Sequence, residues 1–375
     1  MKNTEKVRYM HNSKNGKIGR IPVVAWVFIA LGILAVAARL TAAYNPAFAD
    51  LWNDGPAYVL RRSLAFLTSW IPFSVAEYIV LASPVLVVLT VFITLDSAER
   101  KGFLRALVCL ASAVALVFSV FTFSFGIGYC TTPLGERLAI DEYEVNNVTL
   151  YDTQTELIGY LNGLEDGISR RSDGSSVNPH THSETVELLS RAYDRLNGQY
   201  GFIKSFRAPV KVMITSPVLT YTFITGEYTF YTGEANINNN YSAFSNVFTT
   251  AHEMAHQRGI SREDEANFVA FLACINSDDD YIRYAGYLSL YQYVANALYD
   301  ESPSMYARAL GKLNDGAVAE LKAERDFLRA YSGTVAAEVS DRVNDAYLSA
   351  QGTEGVKSYG LVVRFAVAYY ANRAD

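Results

Sequence analysis

The residues of this sequence that could do chemistry are two histidines and the glutamate between them. In Ala251-His252-Glu253-Met254-Ala255-His256 the imidazoles stand four apart, one helical turn, so both can address a single ion from one face. Glu253 projects beside them, where a carboxylate could take a proton from a water acidified by that ion. H-E-x-x-H is a zinc-hydrolase signature, and a catalytic zinc needs three protein ligands and one open position. The competing reading is a solvated helix face; a turn glycine, Gly259, and an acidic second helix just beyond it weigh against that. Ser261 reads as an N-cap with Asp264 at the capping-box position, so a new helix is predicted from Arg262. If the chain reverses at Gly259, the first turn of that helix faces the histidines, and either Glu263 or Glu265 could close the site. An oxyanion formed there needs a donor opposite the metal. Tyr287 and Arg283 are candidates for it, against the alternative of ordinary packing and a surface charge.

Glu263-Asp264-Glu265-Ala266-Asn267 resembles the E-x-x-A-D/N element of gluzincin-type metallopeptidases. The resemblance implies that Glu263 ligates zinc and that Asn267 supports the ligands from behind. His256 and Glu263 are seven positions apart, closer than in ordinary gluzincins, which keeps Glu265 open as the ligand. More broadly, residues 20–370 resemble a bacterial membrane-protein family, the domain of unknown function 3810. The resemblance rests on four elements in order: T-G-E-A-N-x-N at Thr232 to Asn238, A-H-E-x-A-H-Q-x-G-I at Ala251 to Ile260, E-D-E-A-N-F from Glu263, and R-Y-x-G-Y at Arg283 to Tyr287. It implies three membrane spans.

These residues must be held by a chain with an uneven composition. Half of the 375 residues are hydrophobic and only 19% are charged, which suggests membrane segments. Residues 1–129 carry 12 Lys/Arg against 6 Asp/Glu, and residues 130–375 carry 20 against 32. The acidic larger part argues against nucleic acid as a partner. Apolar runs predict spans over residues 21–43, 76–95 and 104–129, with Pro84 tolerated inside the second. A cleaved signal peptide competes for the first run, but the run is long for one and two more follow. Residues 44–75, with Trp52, Arg61, Arg62 and Trp70, read as an amphipathic interfacial connector. The basic segments 1–20 and 100–105 belong on one side, the cytoplasm, which delivers residues 130–375 outside the cytoplasmic membrane; the Arg61-Arg62 pair opposes this weakly.

Beyond residue 130, helices are predicted over 153–164, 183–196 (with Ser183 as N-cap), 278–299, 305–313, 317–331, 336–348 and 359–370, the last interrupted by Arg364 and too short to span. Val210 to Thr215 reads as a strand, and Thr220 to Tyr231 as a hairpin turning near Gly226 with Tyr228 to Thr232 as its second strand. That second strand could pair with an extended substrate, or be an ordinary sheet edge. The segment 233–240 reads as a turn-rich connection. His180 and His182, in a loop over 167–182, could form a second metal site but lack acidic or Cys neighbours. Of Cys109, Cys130 and Cys274 only a Cys130–Cys274 bridge is conceivable, and three unpaired thiols are the better reading.

The expected protein is therefore an α-helical membrane anchor of three spans (1–129) joined to a mainly α, α+β zincin-like extracytoplasmic domain with a small sheet (130–375). It would lie against the lipid bilayer and act as a zinc-dependent metallopeptidase on peptide or protein substrates. His252, His256 and Glu263 would hold Zn2+, and Glu253 and Tyr287 would serve catalysis. The alternatives are a non-catalytic envelope sensor or scaffold with a structural zinc, and a zinc hydrolase of a cell-wall amide. Intramembrane proteolysis is disfavoured, because Gln257 and Arg258 make the motif helix polar and it lies outside the spans.

Overall fold

The computed structural model describes residues 21–351 and 359–374; the basic tail over 1–20, and its bearing on topology, fall outside them. The chain begins with α1 (Val23–Tyr44), continues through α2 (Pro46–Trp52), a π-helical turn (Asn53–Ala57) and α3 (Tyr58–Ser69), and then forms α4 (Val75–Lys101) and α5 (Phe103–Ser124). Three segments are long and apolar enough to cross a bilayer: Val23–Tyr44, Val75–Asp96 and Phe103–Ser124, with mean hydropathy 2.4, 2.5 and 2.4. Pro84 leaves α4 unbroken. The third span stops at Ser124 instead of running to 129, because a 3-10 turn over Gly126–Cys130 takes the chain out of the helix.

The chain divides into two compact units. Among the described residues, one comprises 21–36 together with Leu81–Ser119. In it Gly32 lies so close to Ala115 that a Cβ would stand 2.8 Å from the alanine's own, the small-residue packing that lets apolar helices approach in lipid. The other unit comprises Ala37–Val80 and everything from Val120. The connector and the end turns of the apolar helices belong with this larger unit.

The larger unit continues with α6 (Leu134–Leu138), α7 (Asn147–Leu164), α8 (His182–Gln199), β1 (Val210–Val212), α9 (Ser216–Leu219), β2 (Gly226–Thr229), β3 (Glu234–Ile237), α10 (Ala243–Gln257), α11 (Glu263–Ile275), α12 (Asp280–Glu301), α13 (Pro303–Leu310), α14 (Asp315–Arg329), α15 (Val335–Ala350) and α16 (Tyr359–Ala374). The cap of α8 is Thr181, not Ser183: its hydroxyl takes the Glu184 N–H while the Glu184 carboxylate takes the Thr181 N–H. Helices α10, α11 and α12 form the core with α7, α8 and α16, burying Met254, Phe268, Phe271, Tyr284, Leu288, Val362 and Val367. Arg364 is exposed, so α16 is a packed helix with one polar edge. Gly286 allows α12 to touch α11, since a Cβ there would stand 2.4 Å from that of Cys274. Cys274 is buried and Cys130 lies 3.0 Å from Arg39 Nη1, so both stay free thiols.

The sheet has the order β1-β3-β2, with β1 parallel and β2 antiparallel to β3. The hairpin is therefore displaced from its expected place. Gly226 opens β2, Thr220–Thr222 is a 3-10 turn, and the reversal falls at Gly233, whose φ of 70 suits a left-handed turn. β3 occupies part of the stretch read as a connection.

Candidate metal centre

Helix α10 ends in a Schellman turn: the Gly259 N–H bonds His256 O at 2.9 Å and the Ile260 N–H bonds Ala255 O at 3.2 Å. Gly259, at φ 93, makes the reversal possible. α11 then starts at Glu263, with Arg262 rather than Ser261 before it; the Ser261 hydroxyl donates to Phe125 O instead of capping. The reversal brings Glu263 back to the histidines. Its Oε2 lies 3.2 Å from His252 Nε2 and its Oε1 3.5 Å from His256 Nε2. One ligand atom from each of the three falls within 4.8 Å of the others, a donor set of two imidazoles and a carboxylate that suits zinc.

Glu265 points elsewhere, accepting from Leu134 N–H and Arg262 Nη1, both at 2.9 Å. The His256 ring is oriented by Nδ1, which donates to Ile260 O at 2.7 Å; a carbonyl only accepts, so Nε2 is the nitrogen left to face an ion. Asn267 sits against His252 and favours its charged form, while burial, the larger effect, lowers the pKa of that ring. Burial pulls the same way on His256, but Glu263 overrides it and raises this imidazole to about 9. Burial would raise Glu263; the two rings, His256 foremost, hold it well below the usual carboxylate range. Glu253, 3% exposed, is pushed up to about 8 by burial, and its Oε2 has no hydrogen-bond partner. Two imidazoles and a carboxylate converging beside a buried carboxylate oxygen with no hydrogen-bond partner are a set of residues that fits a zinc and its water.

β2 lies directly over Glu253. A Cβ on Gly226 would stand 2.5 Å from Glu253 Oε1 and 2.7 Å from Thr249 Cγ2. Tyr228, on the same strand, brings its ring to 6.4 Å from that of His256, and Phe125 packs at 5.7 Å on the same imidazole.

Tyr287 and Arg283 are not brought to this cluster. Tyr287 stacks on Tyr160 at 4.6 Å and packs against Phe271, while Arg283 pairs with Asp280 and donates to Ser277 O. The hydroxyls that feel the Glu263 charge are those of Tyr129 and Tyr347, 3.0 Å apart. His180 lies 2.7 Å from Asp279 Oδ2 and His182 donates to Val210 O, so the two diverge and make no second site. Gln257 and Arg258 are polar but buried: Gln257 donates to Gly233 O, and Arg258 donates to Met254 O and Phe206 O under the Tyr193 ring.

The profile of a family described as "Protein of unknown function (DUF3810)" matches residues 57–367. The chain belongs to that family. No curated protein and no solved structure matches it.

The match begins in the connector of this DUF3810 chain, where the sequence reads Arg61 as interfacial and does not single out Asn53. Arg61 is fully buried. It donates to Gln257 O at 3.3 Å, Ser124 O at 2.9 Å, and the side-chain and backbone oxygens of Asn53, while Asn53 donates to Gly259 O at 3.0 Å. A guanidinium thus ties the end of the motif helix to the end of α5. Glu234, in T-G-E-A-N-x-N, is also structural: it pairs with Lys211 and takes the N–H groups of Val75 and Ala76 at the start of α4. A charged residue inside a strand-like stretch was the available signal for Glu234; Arg61 carried none, since an Arg-Arg pair near apolar helices reads as interfacial.

Proposed function

We propose that this protein is a membrane-anchored, zinc-dependent metallopeptidase that hydrolyses peptide bonds outside the cytoplasm. The observation that carries the proposal is the convergence of His252, His256 and Glu263 within 4.8 Å, next to a buried Glu253 with one unpartnered oxygen. Zinc held by those three residues would supply a polarised water and a Lewis acid for the scissile carbonyl. Glu253 takes the proton of the attacking water and returns it to the leaving amine; burial favours its protonated form, which suits the second of these steps. The Nδ1–H bond from His256 to Ile260 O keeps the ring in the ligating tautomer. β2 has β3 on one side only, so its outer edge can hold an extended peptide by main-chain hydrogen bonds over Glu253. Tyr347 and Tyr129 replace Tyr287 as the hydroxyls to test for oxyanion support.

A structural zinc would be closed by four protein ligands, whereas among the described residues the cluster contains three ligand-type groups. That favours an open, catalytic centre over a stapled scaffold. The proposal is tested on the full chain purified in lipid nanodiscs, by metal analysis and digestion of a peptide library. About one zinc per chain is expected in wild type and in Glu253→Gln, and much less in His256→Ala. Cleavage should appear in wild type alone. Equal cleavage by Glu253→Gln, or a wild type that takes up no zinc, overturns the reading.

A further inference from the structure

Helix α15 has three faces. Ala337 and Leu348 are buried and Ser340 and Asn344 half-buried, at the spacing of one helical stripe packed on the protein. Glu338, Asp341 and Asp345 share a second, exposed face. The third face is apolar and also exposed: Val335 is 76%, Val339 54% and Val343 65% accessible, with Ala336, Ala346 and Ala350 filling the stripe. A row of valines four apart, accompanied only by alanines, is not a face designed for water.

One end of this helix is fastened to turns where apolar helices end, and the other is linked through the segment 214–221 to the first turn of α4. At its C-terminal end Tyr347 bonds the Tyr129 hydroxyl at 3.0 Å and packs its ring 6.4 Å from Phe121, in the last turn of α5. Just beyond, Gln351 accepts from Arg39, in the closing turns of α1, at 3.3 Å. At the N-terminal end Thr334 donates to Tyr221 O at 3.0 Å. The segment leading to Tyr221 exposes Ile214 and Val218, and its Ile214 and Thr215 N–H groups bond Glu77 in the first turn of α4. Span ends mark the level of the bilayer surface. These ties place the 16-residue helix, about 24 Å long, beside the ends of the apolar helices.

We propose that α15 is an interfacial helix whose Val335, Val339 and Val343 stripe is sunk into the surface of the bilayer that the spans cross. Its occupant is lipid: the stripe is exposed and apolar on a helix whose end is tied to the closing turns of α1 and α5, and Arg342 stands at the border between the valine and acidic faces, as interfacial helices place their cations. The acidic face turns to water. The proposal rests on the apolar helices alone and does not depend on any peptidase activity.

The test uses the wild-type full chain in phosphatidylcholine vesicles, labelled with a membrane-dissolved diazirine and mapped by peptide mass spectrometry. Labelling of the α15 peptide, together with the span peptides, is expected; span labelling with α15 unlabelled overturns the proposal. The face is then read by placing a photoreactive benzoylphenylalanine at 339, 343 or 341 in the same vesicles. Phospholipid-mass adducts should form at 339 and 343 many-fold more than at 341. Adducts in equal yield at all three positions, or cross-linking of 339 and 343 to a second copy of the chain, would show that lipid does not cover the stripe.

Discussion

His256 faces a carbonyl with one nitrogen and a carboxylate with the other, and this decides how the centre meets an ion. Glu263 holds the imidazole charged up to about pH 9 in the metal-free protein, although burial opposes it. In the proposed centre zinc would have to displace that proton. Uptake at pH 7.5 is therefore expected to release a proton, and zinc affinity should fall about tenfold per pH unit as pH drops below 9, levelling off above it; titration with a chelator-buffered zinc series checks both. The two histidines and Glu253 were legible from spacing alone. The choice between Glu263 and Glu265 was not, because two acids two apart leave a helix in nearly opposite directions, and only the path of Leu134 and Arg262 shows which one is already engaged. The direction of Tyr287 was not legible either: a tyrosine on the next helix has several faces to choose from, and here it stacks on Tyr160 of α7.

At the scale of elements, the pairing of β2 with α10 depends on one absent side chain. Gly226→Ala would push a methyl into Glu253 and Thr249. Displacing Glu253 by an ångström is expected to cost on the order of 100-fold in kcat with zinc content unchanged, read by cleavage assay beside metal analysis. The connector offers a second case. Arg61→Ala would strand buried carbonyls at the ends of α10 and α5, at a cost of about 3 kcal/mol. Arg61→Lys should not rescue it, because one ammonium cannot reproduce a fork reaching Gln257, Ser124 and Asn53; thermal melts of the three proteins decide. Helix periodicity located the long elements well. The hairpin was misplaced because Gly226 was read as a turn glycine, when its lack of a side chain serves tertiary contact and Gly233 makes the turn.

For the whole molecule, apolar length marked the three helices long enough to cross a bilayer and nearly fixed their limits, since bilayer thickness leaves little freedom. What composition could not reveal is that residues 37–80 pack with the site domain. A fragment of residues 130–375 lacks Arg61, Asn53 and the α4 start that Glu234 binds. It is expected to lose cooperative unfolding by circular dichroism, whereas the full chain in nanodiscs keeps it.

Phe125 is the first residue after α5, and its ring lies against His256. If the centre hydrolyses peptide bonds as proposed, mounting it one residue past an apolar helix works like a blade bolted to the deck: it would meet only what passes at a fixed height. Polypeptides themselves rooted in the same leaflet would present the same short stretch of their stalks to it, whatever the sequence there, while freely diffusing chains would have to descend to that level first.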